Sequence, residues 1–283
     1  LKTHQPDCVI GCGGYVSFPI VSAAQKLGIP TVLLEVNALP GITTKMLAKK
    51  ADKVLICFEE ARKLLGDGSN IFMTVSPVRT EIVFADREAA RKRLKLQPDD
   101  RMVVSFWGSM GAKYMNEHMA DMLAREAKQN TSFQHVHATG SAAFKWVPKL
   151  VKEKGVDLTK HPNIRLTEYI YDMAEQMAAA DLIICRAGAA TIGELCALGR
   201  ASIMVPSPYV AENHQEKNAR ALEKAGACRV LLEKDSSGEK LLEMTSQLLA
   251  DDAKREDMAA CAARLAALDA GEKIYQHILE AIG

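Results

Sequence analysis

The 283-residue sequence predicts an α/β protein built as two doubly wound, parallel-sheet halves, the first of them incomplete. Three observations predict it. Short apolar runs alternate with helix-length stretches from one end to the other. The connections between them are short, which favours a parallel sheet covered by helices. A charged stretch after residue 79, without a strong apolar stripe, separates one series of units from the next.

In the first half, DCVIGCGG is an apolar run ending in glycines, and PIVSAAQKLG is helical with a glycine stop. PTVLLEVNALPG is a strand and then a Pro/Gly turn, ITTKMLAKKA a helix, KVLICF a strand and EEARKLLG a helix. IFMTVSPVR is a strand that runs into a proline. TEIVFADREAARKRLKLQPDD is charged and helical and reads as a connector. The second half pairs RMVVSFWGSMGA with the helix KYMNEHMADMLAREAKQ, and SFQHVHATG with the mostly helical SAAFKWVPKLVKEKG. NIRLTEYI, DLIICRAG, ASIMVPSP and CRVLLEK follow as strands, and the chain is helical from GEKLLEM to its end. The opening LKTHQPDCVIGCGG lacks an initiator Met and reads as a helix end leading directly into a strand. A fragment missing at least one earlier strand–helix unit is therefore expected.

Composition excludes several function classes. At 48% hydrophobic and 25% charged residues the chain is ordinary globular material, and a formal charge of +1 gives no global field for nucleic acid. The seven cysteines (8, 12, 57, 185, 196, 228, 261) include no C-x-x-C pair, so neither zinc nor a disulfide framework is indicated, and reduced thiols in a cytosolic protein are expected. No apolar run approaches the roughly 20 residues of a membrane span, and no signal peptide is visible.

Ligands of open parallel sheets bind beyond the carboxyl ends of the strands, so the strand-to-helix junctions carry the candidates. GCGGYVSFP places Gly11, Gly13 and Gly14 before a helix, where backbone N–H groups approach an anion or simply form a turn. In WGSMGA, Ser109 either caps a helix or meets a phosphate. Trp107 in the first glycine position breaks the G-x-S-x-G elbow, and no His/Asp partners are evident, which rejects serine hydrolysis. In CRAGAATIGEL, Gly188 and the amides after it would face an anion, Thr191 would add a hydroxyl, and Glu194 would accept from a diol; a plain capped helix fits the same residues. Asn213, His214 and Gln215 suit a polyhydroxy ligand, or a solvated helix end. His135 and His137 share one strand face and read as packing residues. Arg186 has no assigned role. No D-x-D triplet occurs, so a metal-held diphosphate is not indicated and no cofactor is called for.

Taken in order, GCGGYVSFP, PTVLLEVNALPG, SPVR, WGSMGA, YIYDMA, CRAGAATIGEL, PSP and NHQEKNARALEKAGA resemble the MurG family, the bacterial UDP-N-acetylglucosamine transferases of peptidoglycan synthesis, over essentially the whole chain. The resemblance implies a GT-B fold: a partial acceptor-side domain over 1–79, a UDP-sugar domain over 80–266, and a terminal helix of about 267–283 packing back on the first. It implies inverting transfer of N-acetylglucosamine to the muramoyl 4-hydroxyl of an undecaprenyl-diphosphate-linked peptide, on the cytoplasmic side of the membrane, with no metal. Arg79 would lie beside the uracil, whose edge the Ile170 backbone reads. Ser109 would meet the diphosphate. Gly188, Ala189, Ala190, Thr191 and Glu194 would hold diphosphate and ribose, and Asn37, His214 and Gln215 the sugar. Glu35 and Tyr15 would lie on the acceptor side, and the family's base-bearing loop would precede Leu1.

Departures from the family pattern are Trp107 and Phe18 for glycines, Leu34 and Val36 for polar residues, and Gly193 for a serine. They leave two alternatives: a UDP-sugar-binding module without catalysis or dependent on a partner, and a related glycolipid transferase. Residues 1–79 carry nine Lys/Arg against six Asp/Glu, a slight basic excess that would suit anionic lipid.

Overall fold

A computed structural model describes residues 1–74, 76–108, 110–210 and 213–283. The first sheet runs β1 (Val9–Gly11), β2 (Thr31–Glu35), β3 (Lys53–Ile56) and β4 (Ile71–Met73), all parallel and in sequence order. Helices α1 (Ser17–Lys26), α2 (Ile42–Leu47) and α3 (Glu59–Leu65) connect them. The central strands β2 and β3 are buried on both faces and read as apolar runs, as in Val54–Leu55–Ile56.

The second sheet has the order β10-β9-β8-β5-β6-β7, again parallel. Its strands are β5 (Met102–Phe106), β6 (Gln134–Ala138), β7 (Ile164–Thr167), β8 (Leu182–Cys185), β9 (Ser202–Met204) and β10 (Arg229–Val230). Helices α6 (Lys113–Gln129) and α7 (Val147–Glu153) bury one face; α8 (Met173–Ala179), α9 (Ala189–Leu198) and α10 (His214–Lys224) bury the other. The switch point falls between β5 and β8, where the order reverses, and doubly wound sheets bind ligands there.

Four local readings need correction. The predicted connector is a clasp made of two short helices, α4 (Thr80–Val83) and α5 (Arg87–Arg93), with the Asp86 carboxylate accepting from Ala89 N–H at the break. Arg87 donates to the carbonyls of Ala179 (3.1 Å) and Ala180 (2.7 Å), which end α8, and to Asp181 at 2.6 Å. Arg91 donates to Gln97 O and Asp100 O, while Ile82 and Ala90 are fully buried. Second, CRVLLEK is a strand only at Arg229–Val230; the chain then leaves the sheet and buries Glu233. Third, the helical tail is three helices, α11 (Gly238–Ala250), α12 (Asp252–Arg264) and α13 (Ala270–Ile282). Fourth, Gly11 is the last residue of β1, where an added Cβ would come within 2.9 Å of Val21 Cγ2. It is a packing glycine, and the loop proper begins after it.

The tail crosses back to the first sheet. Helix α13 lies on β2 and β3, with Lys53 paired to Glu280 at 2.8 Å and the rings of Phe72 and His277 4.4 Å apart.

A polar chain threads the second core. Asn116 Nδ2 donates to Thr139 O, so its Oδ1 accepts from His137 Nε2–H at 3.0 Å. Burial and the neighbouring His135 push His137 down to about 3, so its ring is neutral and Nδ1 accepts from Ser105 Oγ at 2.7 Å. Ser105 in turn accepts from His135 Nε2, 2.8 Å away, and His135 Nδ1 meets Glu126 at 2.9 Å. All these groups are buried. Both histidines therefore tie α6 to the sheet, as packing residues with satisfied partners. Thr139 O also limits the loop before α6: a Cβ on Gly111 (φ +72°) would clash with it.

Candidate functional site

The carboxyl ends of both sheets open on one cleft. On the second sheet's side, β8 ends at Cys185 and the chain turns at Gly188 into α9. Gly188 is the cap residue, no side chain caps the helix, and its first turn carries no acid. The N–H groups of the first turn, at Ala189, Ala190 and Thr191, thus have no intrahelical acceptor and present positive charge to an anion. The plain capped-helix alternative lacks its cap.

One helical turn on, Glu194 meets Arg79, 115 residues earlier in the chain. Arg79 Nε donates to Glu194 Oε1 at 2.8 Å. The arginine side chain is 54% exposed and the glutamate 13%. The carboxylate is thus held at the cleft wall with one oxygen committed to Arg79. Ile170 lies between Tyr169 and Tyr171, whose rings meet edge to face at 5.2 Å. Its side chain is core, so only its backbone is available to a ligand. Ser109 lies outside the described residues.

The β9–α10 junction splits its two predicted residues. Gln215 Oε1 accepts from Ser207 N–H at 2.9 Å and lines a cavity of about 620 Å³ with Trp107 and Arg186. His214 instead lines a cavity of about 430 Å³ with Gly13, Gly14, Tyr15, Glu35 and Asn37. That cavity joins the two halves. Gly13 and Gly14 have φ of +81° and +73°, which a glycine adopts without strain.

Glu35 is buried, and four donors converge on its carboxylate. Asn37 N–H (3.1 Å) and Asn37 Nδ2 (3.3 Å) take Oε1; Gly41 N–H (3.0 Å) and Thr44 Oγ1 (2.7 Å) take Oε2. Such a carboxylate shapes the 35–44 loop, with its lone pairs committed to the loop's own donors.

Four residues given no role from sequence stand beside these: Asn218, Glu233, Arg186 and Trp107. Asn218 is fully buried; its Oδ1 accepts from Ala38 N–H at 3.0 Å, and its Nδ2 donates to Asn37 Oδ1 at 3.3 Å. It bonds the two halves directly. The signal was present: 218 follows 214 and 215 by four and three, so all three share one helix face. Glu233 ion-pairs with Arg186 at 2.5 Å, which explains the arginine's place, and Trp107 lies 5.8 Å beneath the guanidinium. Neither spacing announces itself locally.

Comparison with known proteins agrees with this architecture. A model described as the glycosyltransferase family 28 C-terminal domain matches residues 102–274, and one for the family 28 N-terminal domain matches 1–56. A UDP-N-acetylglucosamine–N-acetylmuramyl-(pentapeptide) pyrophosphoryl-undecaprenol N-acetylglucosamine transferase from Acetivibrio thermocellus is 45% identical over 278 residues, 98% of this chain and 74% of that protein. A crystal structure of Acinetobacter baumannii MurG superimposes with a TM-score of 0.79 at 28% identity, over 99% of this chain and 75% of that one. A UDP-GlcNAc 2-epimerase from Neisseria meningitidis bound to UDP-GlcNAc shares the fold, with a TM-score of 0.69 at 16% identity over 99% of this chain and 78% of that one.

Proposed function

The chain belongs to glycosyltransferase family 28, and we propose that it transfers N-acetylglucosamine from UDP-N-acetylglucosamine to the 4-hydroxyl of the N-acetylmuramyl sugar on a pyrophosphoryl-undecaprenol carrier. The observation that carries the assignment of roles is the meeting of Arg79 with Glu194 at the uncapped start of α9. It puts a planar cation, a diol acceptor and an anion-binding turn together, as uracil, ribose and diphosphate require in that order.

In this reading Arg79 flanks the uracil, the Ile170 backbone reads its edge, and Glu194 Oε2 accepts from the ribose hydroxyls. The diphosphate lies against Gly188, Ala189, Ala190 and Thr191, and the family resemblance adds Ser109 to its contacts. Inverting displacement leaves a UDP anion, and the α9 amides stabilise the charge as the glycosidic oxygen departs. Asn37, His214 and Gln215 hold the sugar. The acceptor enters at the glycine loop, Gly13 and Gly14, beside Tyr15. Glu35 is a positioning residue here.

Membrane association is peripheral in this reading, on the cytoplasmic face. Among the described residues no helix is long and apolar enough to cross a membrane. Tyr15, Val16 and Ile20 at the start of α1, and Ile42 and Met46 on α2, are exposed apolar side chains beside the acceptor cavity. Lys49 and Lys50 follow α2 on the surface.

The test is UDP release by the purified chain from UDP-N-acetylglucosamine, with and without a muramoyl-pentapeptide lipid acceptor. Acceptor-dependent release is expected. Tight UDP-sugar binding without turnover supports the non-catalytic module instead, and faster turnover of UDP-galactose supports a related glycolipid transferase.

A further inference from the structure

The polar chain through the second core ends against a loop that faces the cleft. Asn116 is fully buried in the first turn of α6, and its N–H bonds Ala112 O at 2.9 Å. Its side chain reaches across to the end of β6, where Nδ2 donates to Thr139 O at 2.8 Å. That carbonyl is the seat of Gly111: a Cβ on Gly111 would collide with it and come within 3.3 Å of Asn116 Nδ2. A Cβ on Gly140 would stand 2.6 Å from Gly111 N and 2.7 Å from Met110 C. The backbones at 110–111 and 139–140 therefore touch, and Asn116 fixes where they meet. Gly111 and Ala112 line the 620 Å³ cavity beside Arg186 and Gln215.

An asparagine amide can turn over about its last torsion and exchange oxygen for nitrogen. Reversed, Asn116 would set its own oxygen against Thr139 O and leave the seat of Gly111 without its donor. His137 decides between the two states, because its Nε2–H, 3.0 Å from Oδ1, accepts only an oxygen opposite it. The imidazole is fixed in turn by Ser105, which gives its hydroxyl to Nδ1 at 2.7 Å, and Ser105 is held by His135 on Glu126. The Trp107 ring lies edge-on to the same imidazole at 6.2 Å, so the start of the loop rests on it too. An apolar side chain at 137 would fill the core equally well. A buried polar chain adds what packing alone does not, a single direction for the Asn116 amide.

We propose that Asn116 and His137 are positioning residues for the donor diphosphate. His137 sets the Asn116 amide, Asn116 sets Thr139 O against Gly111, and the backbone of 110–112 is thereby held in one shape before the ligand arrives. Neither side chain touches the ligand. The inference rests on the reading above, in which this loop supplies a diphosphate contact at Ser109.

Calorimetry with UDP and UMP tests it, because the two share uracil and ribose and differ by one phosphate. The wild type is expected to bind UDP more tightly. Asn116→Ala should cut that preference by about tenfold through UDP, with UMP affinity within about twofold of wild type, which also reports a folded nucleotide site. His137→Leu should act in the same way. His137→Gln, which keeps an N–H for Asn116 and an acceptor for Ser105, should restore the preference. An unchanged preference in Asn116→Ala or His137→Leu, an equal loss for both nucleotides, or no rescue by His137→Gln overturns the proposal. A second measurement needs no variant: in the wild type, amide exchange at 110–112 should slow with UDP and not with UMP. Equal protection by both, or none by either, overturns it. A wild-type chain that binds UDP no more tightly than UMP overturns the diphosphate assignment itself, and this inference with it.

Discussion

Replacing Glu194 by alanine separates a ribose clamp from a mere helix-end charge. The side chain is largely buried, and Oε1 is held by Arg79 at 2.8 Å, which leaves Oε2 for the ribose diol. Losing a hydrogen bond to a charged acceptor costs about 1.5–3 kcal/mol, roughly a 10- to 150-fold rise in Kd for UDP. The ion pair lost with it contributes only about 0–1 kcal/mol, because Arg79 is mostly in solvent, so the melting temperature should barely move. Calorimetry on UDP and its 2′,3′-dideoxy analogue closes a cycle. Wild type should discriminate between the two nucleotides, and Glu194→Ala should not. Unchanged UDP affinity, or the same loss with both nucleotides, would refute the clamp.

Three further outcomes are expected. Asn218→Ala strands the buried Ala38 N–H and should lower stability by about 1–3 kcal/mol in urea unfolding; Asn218→Asp, which keeps the acceptor, should recover part of it, and faster amide exchange at Ala38 would locate the effect. His137, pushed down to about 3 by burial and His135, stays neutral in the fold while the unfolded chain protonates it near 6.5. The unfolded state then binds the extra proton only below that value, so stability is lost as pH falls from about 6.5 towards 3, by about 1.4 kcal/mol per unit. His137→Gln should flatten that slope between pH 6.5 and 5; an unchanged slope counts against it. Cys12 is exposed in the glycine loop, whereas burial pushes Cys57 up to about 12 and Cys196 to about 11. Iodoacetamide should therefore label Cys12 first, read by peptide mass spectrometry, and block the acceptor cavity; earlier labelling of Cys57 would contradict the described burial.

Strands β2, β3, β5 and β8 were legible because each is buried on both faces and so reads as a nearly unbroken apolar run, DLIICRAG above all. Junction residues were legible for a related reason: glycines and polar groups sit where such runs stop. What local pattern does not carry is pairing at a distance. Arg87 and Arg91 looked like solvated charges, yet they bond carbonyls and a carboxylate some ninety residues on. Arg186 had no reading because its partner, Glu233, follows a strand that stops after two residues. Gly11 looked like a phosphate glycine because its tight neighbours, Val21 and Leu33, come from other elements.

Glu35 joins these threads. Its sequence context suggested acceptor chemistry, but its four hydrogen bonds make it the organiser of the loop that carries Asn37 and Ala38. Those two residues meet Asn218, which lies on the helix face of His214 and Gln215. A hydrogen-bonded path therefore runs from a carboxylate in the first half to Asn218 in the second, on the helix that carries His214 and Gln215. Removing Glu35 would release the loop, and with it the acceptor for Asn218 Nδ2. In the proposed arrangement a change at Glu35 reaches the helix of His214 and Gln215, because Asn218 on that helix is bonded by the Asn37 side chain and the Ala38 backbone of the other half.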